Sequence, residues 1–344
     1  MKFVLLYNCP LKKCDKLWLY NGLKKYGDVK IVGTLTNKTY FRISRFIPKL
    51  RIGKILVLIL IFIQSIRSIV VSNKDDIIIT WASKQGCILN NICNKLHIKR
   101  KIVSFMWIAI PSKNKKMIYR SFNDDNFLPI INNELLKGQF ISLFNLKKWN
   151  GLFLPDVFDD SQSFKKPVFQ TDNRFVFSGG VNNRDWETLL RVAQKTPNIQ
   201  YIIVSDKNKI KNTIPKNVTL RENLSAKDYY SLMEKSFITI CPLKENRTSG
   251  LINILKSSQF GIPCISAEFE ITKTYYSTSL MKILLYEKCN TEDLKQKVEY
   301  IFNLNKDGYL KIASNFQNNI REKFNPENNI KMLIKELKNR NWLT

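Results

Sequence analysis

Two segments of this chain place glycines beside polar and basic residues where an apolar run gives way to a helical pattern. The first is Ser178-Gly179-Gly180-Val181-Asn182-Asn183-Arg184-Asp185-Trp186. Glycines at the carboxyl end of a strand let the backbone approach a ligand closely, the N-terminus of the following helix favours an anion, and Arg184 can hold a phosphate. Taken alone, the segment is equally a tight strand-to-helix turn with Asp185 as the helix cap and Arg184 solvated. The second segment runs Cys241-Pro242-Leu243-Lys244-Glu245-Asn246-Arg247-Thr248-Ser249-Gly250, with a helix from Leu251 and then Gly261-Ile262-Pro263. Thr248 or Ser249 is available there as the helix N-cap. Neither segment is a G-x-G-x-x-G fingerprint or a P-loop, which removes support for nicotinamide or ATP chemistry. In an open parallel sheet, ligands lie beyond the carboxyl ends of the strands, so the two segments converge on one crevice. A phosphate-bearing ligand in that crevice is the chemistry they suggest.

The elements needed to position them are legible as short apolar runs alternating with longer amphipathic stretches, the pattern of repeated βαβ units. In the first half, strands are expected at 2–7, 29–32, 76–80 and 101–105, with helices near 11–26, 54–68 and 85–96. Residues 147–172, with Trp149-Asn150-Gly151, Leu154-Pro155-Asp156, Asp159-Asp160 and Lys166-Pro167, read as an interdomain connection. A second set follows, with strands at 174–178, 199–204, 218–221, 238–241 and 263–266. Helices are expected there at 185–195, 226–235, 251–260, 291–303 and 308–324. The simplest architecture is α/β, with two Rossmann-like parallel-sheet domains facing a central cleft. Residues 1–165 form the first domain, 166–325 the second, and 326–344 a C-terminal helix that could cross back to the first.

Composition narrows the chemistry further. The 344 residues carry 56 Lys+Arg against 28 Asp+Glu, a formal net charge of +28, and a single histidine, His97. A Ser-His-Asp triad would have to be built on His97, and His-rich zinc or di-iron sites are ruled out. With 44% hydrophobic residues the chain is globular and packed, so its charge excess points to an anionic partner: a phosphate ligand, a membrane surface or nucleic acid. The seven cysteines include no C-x-x-C pair and fit thiols in a reducing cytosol, with Cys87 and Cys93 read as small buried hydrophobes rather than ligands. Only five consecutive apolar residues precede Asn8, too few for the apolar core of a signal peptide, so the N-terminus reads as a first strand. Residues 55–66, ILVLILIFIQSI, are twelve uncharged residues bounded by Lys54 and Arg67. Spanning a bilayer takes about 20, so this run reads as a buried or interfacial helix.

From about Phe175 to Phe324 the chain resembles nucleotide-sugar-dependent glycosyltransferases of the GT-B fold, in particular retaining enzymes with a family-4-like C-terminal domain. The resemblance is carried by Phe177-Ser178-Gly179-Gly180 with Arg184-Asp185, by Asn217-Val218-Thr219-Leu220, and by Leu224-Ser225 through Tyr229-Tyr230 and Leu232-Met233. Ile240-Cys241-Pro242-Leu243, Thr248-Ser249-Gly250 and Gly261-Ile262-Pro263-Cys264-Ile265 complete it. It implies a donor site at Gly179, Gly180, Arg184, Lys244, Glu245, Thr248, Ser249, Gly250, Leu251 and Lys256, with Arg184 on the donor diphosphate. It implies no metal and no cofactor beyond the nucleotide sugar itself. Such enzymes can work without a base of their own, the leaving diphosphate taking the acceptor's proton.

Four positions depart from the pattern. An arginine usually follows directly after the first glycine, where this chain has Gly180, and the earlier glutamate of the donor motif, eight residues before the position of Lys256, falls on Thr248, with Glu245 nearby but out of register. The family usually carries a glutamate for the ribose hydroxyls five residues before the glycine of the Gly-x-Pro turn; here that position is Lys256, which cannot accept those hydrogen bonds. Either the nucleoside is held differently, with Lys256 on a phosphate, or donor binding has been lost. Related enzymes also often place a histidine after the strand at 101–105, where this chain has Met106-Trp107. His97 lies earlier and reads as a surface residue near a helix end.

Residues 37–54, NKTYFRISRFIPKLRIGK, hold six basic residues, no acid and interleaved apolar side chains. Arg42, Arg45, Lys49, Arg51 and Lys54 are the candidate contacts to an anionic membrane. Basic and aromatic interleaving also suits single-stranded nucleic acid, but no RRM, KH, zinc-finger or helix-turn-helix pattern accompanies it, and nucleic acid is not an expected partner. The expectation is a glycosyltransferase on the cytoplasmic face of a membrane, acting on a glycan acceptor, lipid-linked, in cell-surface polysaccharide or lipopolysaccharide synthesis. The alternative is a nucleic-acid-binding or non-catalytic relative.

Overall fold

The computed structural model describes residues 2–7, 18–33, 51–107 and 115–343. The chain divides into two compact units, Met1–Asp156 with Pro326–Thr344, and Val157–Asn325.

The first unit is built on six parallel strands: β1 (Lys2–Tyr7), β2 (Asp28–Gly33), β3 (Ile77–Thr80), β4 (Lys101–Phe105), β5 (Phe127–Ile131) and β6 (Leu152–Phe153), in the spatial order β2-β1-β3-β4-β5-β6. Its central strands are apolar at nearly every position because both faces of a parallel sheet are covered. Phe3 and Leu5 of β1 join one layer with Ile330, Leu333 and Leu337 of the C-terminal helix Pro326–Asn339, while Val4 and Leu6 join the other with Leu89, Phe122 and Phe140. The apolar thiols behave as expected of packing groups: Cys87 and Cys93 are buried, and burial pushes the Cys87 thiol up to about 12.

Strand β5 was not anticipated, because Pro129 sits in its middle and proline is normally kept out of central strands. The Ile102 and Met106 amides of the β4 side donate to the carbonyls of Asn126 and Ile130, so alternate residues of this phase face β4. Pro129 is out of phase and faces β6, whose pairing begins only at Ile130 with Leu152. Its missing N–H therefore costs the ladder nothing.

The second unit has β7 (Phe175–Gly179), β8 (Gln200–Val204), β9 (Val218–Arg221), β10 (Ile238–Cys241), β11 (Cys264–Ala267) and β12 (Leu285–Tyr286), all parallel, in the order β12-β11-β10-β7-β8-β9. This order reverses direction between β7 and β10, which pair directly, Val176 opposite Ile238 and Ser178 opposite Ile240. That reversal is the topological switch point at which an open α/β sheet leaves a crevice. The unit begins at Val157 rather than at 166 because residues 159–165 are tied to its helices. Gln259 donates its side-chain amide to the Asp159 carbonyl at 2.7 Å, the Lys165 amide donates to the Gln259 carbonyl at 2.8 Å, and Gln317 donates to the Lys165 carbonyl at 2.8 Å.

Candidate functional site

Because β7 and β10 are neighbours, the two glycine segments that follow them meet. Asn183, left-handed at φ 55°, makes a reciprocal pair with Glu245: its side-chain amide donates to the Glu245 carbonyl at 2.9 Å, and its side-chain oxygen accepts from the Glu245 amide at 2.9 Å. The Asp185 amide donates to the Pro242 carbonyl at 2.7 Å, Arg184 and Leu243 form an antiparallel bridge, and the Ser249 hydroxyl donates to the Asn182 carbonyl at 3.3 Å. Asp185 caps the helix Trp186–Lys195 through the Thr188 amide at 3.1 Å, as its position suggests.

Arg184 lies at the centre of this clasp. Its Nε donates to the Gly179 carbonyl at 3.1 Å and its Nη1 to the Asn182 carbonyl at 2.8 Å, while Nη2 has no hydrogen-bond partner among the described residues. The guanidinium fits between two glycines that both have positive φ, Gly180 at 128° and Gly250 at 96°. A Cβ at either would come within 2.5 Å of Arg184 Nη2. Both glycines are favoured by backbone conformation, and a Cβ at either would also displace the guanidinium from its place.

The helix Leu251–Gln259 starts at Gly250 and has no side-chain cap. This corrects the expectation that Thr248 or Ser249 caps it: Gly250 in the left-handed region turns the chain into the helix one residue later, and Ser249 is used on Asn182 instead. The consequence is that the first amides of the helix are left to a ligand beside a guanidinium, an arrangement suited to a diphosphate. Leu251 is 2% exposed, so it offers the site only its backbone. Lys244 and Glu245 are exposed, and the Glu245 carboxylate is held by Arg247 at 2.7 Å. Thr248 is half-buried on the same loop.

Residues that sequence reasoning missed brace the clasp from below. Asn253, one turn into the helix, donates to the Gly179 carbonyl at 3.0 Å and to the Tyr229 hydroxyl at 2.8 Å. Tyr229 packs so closely that a Cβ on Gly179 would meet its hydroxyl at 2.2 Å, and burial raises its pKa well above the ordinary phenol value. The signal available was the i to i+3 spacing of Gly250 and Asn253, which puts both at the start of one helix.

Lys256 is used differently from the other candidates. It is buried, and its ammonium donates to Asp159 at 2.8 Å and to Gln162 at 3.0 Å, 5.6 Å from the centre of the Tyr230 ring. The lysine at the position of the family's glutamate is therefore engaged inside its own unit, holding residues 159–162 to the helix. Burial alone would raise the Asp159 carboxyl, but hydrogen bonds from Lys256 and Ser161 outweigh it and hold the group below its ordinary 3.8. A carboxylate lowered in the folded state adds stability that is complete above its unfolded value and is lost as pH falls through the folded one. We expect Lys256→Met to cost about 1–2 kcal/mol at pH 7, less than a fully buried pair because Asp159 keeps part of its solvent. The difference between wild-type and variant urea midpoints should shrink on going from pH 7 to pH 3. An equal difference at both would show that the pair contributes packing only.

In the first unit, the carboxyl ends of β1, β3 and β4 carry an aromatic cluster that sequence reasoning did not assemble. Trp81, directly after β3, has ring centroids 5.4 Å from Tyr7, 4.7 Å from Phe105 and 5.0 Å from Trp107. Trp107 stacks on Phe105 at 5.1 Å and donates its indole N–H to the Trp81 carbonyl at 2.7 Å. Trp81 and Trp107 are half-buried, so their rings keep solvent-facing surface, while Met106 is buried. His97 is exposed just past the end of the helix Ser83–Lys95, before β4 begins, and so lies on the amino-terminal side of the sheet, away from the carboxyl strand ends. Arg42, Arg45 and Lys49 lie outside the described residues, and of Arg51 and Lys54 only the helical backbone is described.

No family model matches the chain, and no curated protein does. Solved structures match it over nearly its whole length. An E. coli trehalose-6-phosphate structure bound with UDP-2-fluoro glucose has a TM-score of 0.69 at 10% identity, covering 98% of this chain and 99% of that one. An α,α-trehalose-phosphate synthase (UDP-forming) from Burkholderia vietnamiensis has a TM-score of 0.68 at 10% identity, covering 98% of each chain. A glycosyltransferase from Rickettsia africae has a TM-score of 0.67 at 13% identity, again covering 98% of each. The fold is the GT-B fold of glycosyltransferases, with two six-stranded parallel sheets. Of these, the E. coli structure has UDP-2-fluoro glucose bound, and the Burkholderia protein is named as UDP-forming.

Proposed function

We propose that the protein is a retaining glycosyltransferase that moves a hexose or pentose from a nucleoside-diphosphate sugar to a glycan acceptor. The observation that carries this is Arg184, held between Gly180 and Gly250 at the β7/β10 switch point with an unspent N–H, beside a helix N-terminus without a side-chain cap. These groups match the charge and reach of a diphosphate, and they would stabilise it most as it departs with the negative charge it gains. The bond from the anomeric carbon to the diphosphate oxygen breaks, the acceptor oxygen bonds to that carbon, and the acceptor's proton passes to the leaving diphosphate. This path needs no protein base, which accords with a chain whose only histidine lies away from the carboxyl strand ends. The UDP-2-fluoro glucose in the E. coli structure and the UDP-forming activity named for the Burkholderia protein support a uridine donor as the first to test.

On this reading the first unit binds the acceptor, a sugar ring lying against Trp81 and Trp107, because pyranose C–H faces pack well on aromatic rings. The acceptor is lipid-linked and the enzyme works at the cytoplasmic face of a membrane, in cell-surface glycan synthesis. The support for that is the acid-free basic run at 37–54. Titrating the full chain with UDP and GDP by calorimetry tests the donor assignment, with saturable binding of one of them expected. Binding of neither would reject it. For the acceptor side, Trp81→Ala should raise the acceptor KM about tenfold with UDP-sugar as donor and leave nucleotide affinity unchanged. An unchanged acceptor KM across a panel of mono- and disaccharides would remove Trp81 from the site.

A further inference from the structure

The helix Arg51–Val71 packs on the first sheet with a mixed face, Ile61 and Ile69 buried beside polar side chains, and leaves an apolar stripe outside. Gln64, Ser65 and Ser68 face inward and are 2%, 0% and 0% exposed, whereas Ile59, Phe62, Ile63 and Val70 face outward at 48%, 51%, 41% and 77%. Spacings of three, four and seven residues put those four apolar side chains on one stripe, and the buried Gln64, Ser65 and Ser68 lie on the opposite side. The inward face is not strained by its polarity, because every group on it is bonded. Gln64 donates to the carbonyls of Val32 at 2.6 Å and Tyr7 at 3.2 Å and accepts from Gln85, the Ser65 hydroxyl donates to the Ile61 carbonyl at 2.8 Å, and Ser68 to the Ser65 carbonyl at 2.7 Å. Rotating the helix to hide its apolar stripe would bring Phe62 and Ile63 against the strand-end carbonyls of Val32 and Tyr7 and leave both unpaired, a large cost for buried polar groups. The orientation is therefore set by the sheet, and the outward stripe is a property of the folded chain.

We propose that this stripe docks the protein on an anionic lipid surface, with the helix lying in the interface. The inference rests on the membrane part of the function proposed above and is independent of the transfer chemistry. The argument for lipid is charge. Between Asp28 and Asp75 the chain has nine Lys or Arg and no acid, so the stripe is embedded in a stretch of sequence of one sign, with Arg67 exposed on the helix itself. A second copy docking symmetrically would set that positive stretch against itself. An anionic leaflet would accept both the apolar side chains and the cations of this stretch of sequence. Among the described residues no helix is long and apolar enough to cross a membrane, and one side of this helix is committed to Val32, Tyr7 and Gln85, so it rests on the bilayer surface.

The experiment is co-sedimentation of the full chain with vesicles of phosphatidylglycerol and phosphatidylcholine, and with vesicles of phosphatidylcholine alone. Wild type should bind the first and not the second. The variant Phe62→Ser/Ile63→Ser should need at least about tenfold more lipid for half-binding, while keeping its UDP titration and its Tm. The variant Arg42→Glu/Arg45→Glu/Lys49→Glu should also be released. If the basic variant is released and the apolar one binds as wild type, the helix is not the docking element and the membrane reading survives without it. If wild type binds neither vesicle, both fall. If Phe62→Ser/Ile63→Ser instead converts a dimer to a monomer in analytical ultracentrifugation with vesicle binding unchanged, the stripe is a protein interface and the proposal is overturned.

Discussion

Replacing Arg184 by alanine is expected to weaken UDP or GDP binding about 10- to 100-fold, with a larger fall in turnover. One hydrogen bond to a charged group is worth about 1.5–3 kcal/mol, and the guanidinium here has an N–H left over after bonding Gly179 and Asn182. Turnover should suffer more than affinity because the charge on the diphosphate increases as the glycosidic bond breaks, so the arginine is worth more in the transition state. The variant should remain folded, since the buried Gly179 carbonyl it releases still accepts from Asn253 at 3.0 Å and the Asn182 carbonyl belongs to an exposed residue where water can replace the guanidinium. Arg184→Lys should recover less than half of the lost binding energy, because an ammonium keeps the charge but not the planar fork that reaches both backbone and ligand. Calorimetric titration of the three proteins with UDP and GDP decides the point, and identical dissociation constants would remove Arg184 from the donor site.

Gly250→Ala is expected to be nearly as damaging to donor binding, without removing any group that could touch the donor. At φ 96° an alanine is strained by about 1–3 kcal/mol, and its Cβ would sit 2.5 Å from Nη2 and 2.6 Å from Nη1 of Arg184. Either the arginine swings away or the helix start at Leu251 shifts, and both changes separate the two groups proposed to hold the diphosphate. Thermal unfolding should register a loss of about 1–2 kcal/mol, and nucleotide affinity should fall about tenfold or more. The double variant Arg184→Ala/Gly250→Ala gives the decisive comparison. If the glycine acts through the arginine, the second substitution adds nothing to the loss of affinity, although it still costs stability. Additive losses of affinity would mean that the glycine acts on the donor by another route.

Much of the scaffold was legible because parallel α/β architecture writes itself into the chain as short apolar runs and amphipathic stretches. The strands at β1, β3, β4, β7, β9 and β10 fall where that alternation placed them. The pattern failed at β5, where Pro129 contradicts a strand unless the phase of its neighbours is known. It was also silent on the polarity of the helix Arg51–Val71. An uncharged, largely apolar run announces a helix but not which side faces the sheet, and here Gln64 took the inner side because it donates to two strand-end carbonyls, with the serines beside it bonded within the helix.

The candidate site divides in the same way. Its donor loop could be read from local chemistry: glycines after strands, an arginine before a helix, and a cap at Asp185 are determined by residues adjacent in sequence. Lys256 could not be read so. Its identity shows that a carboxylate is missing, but its partner Asp159 is 97 residues away in the chain and is brought to it only by the fold. The same holds for the aromatic cluster, whose members come from three separate strand ends. What the sequence by itself determined is therefore the set of local conformations, the charge and the two glycine turns, all governed by short-range sterics and hydrogen bonding. Which turns meet, which amine is already spent and which apolar face is left outside were decided by the tertiary structure. Those depend on strand order and on the pairing of buried polar groups far apart in the chain.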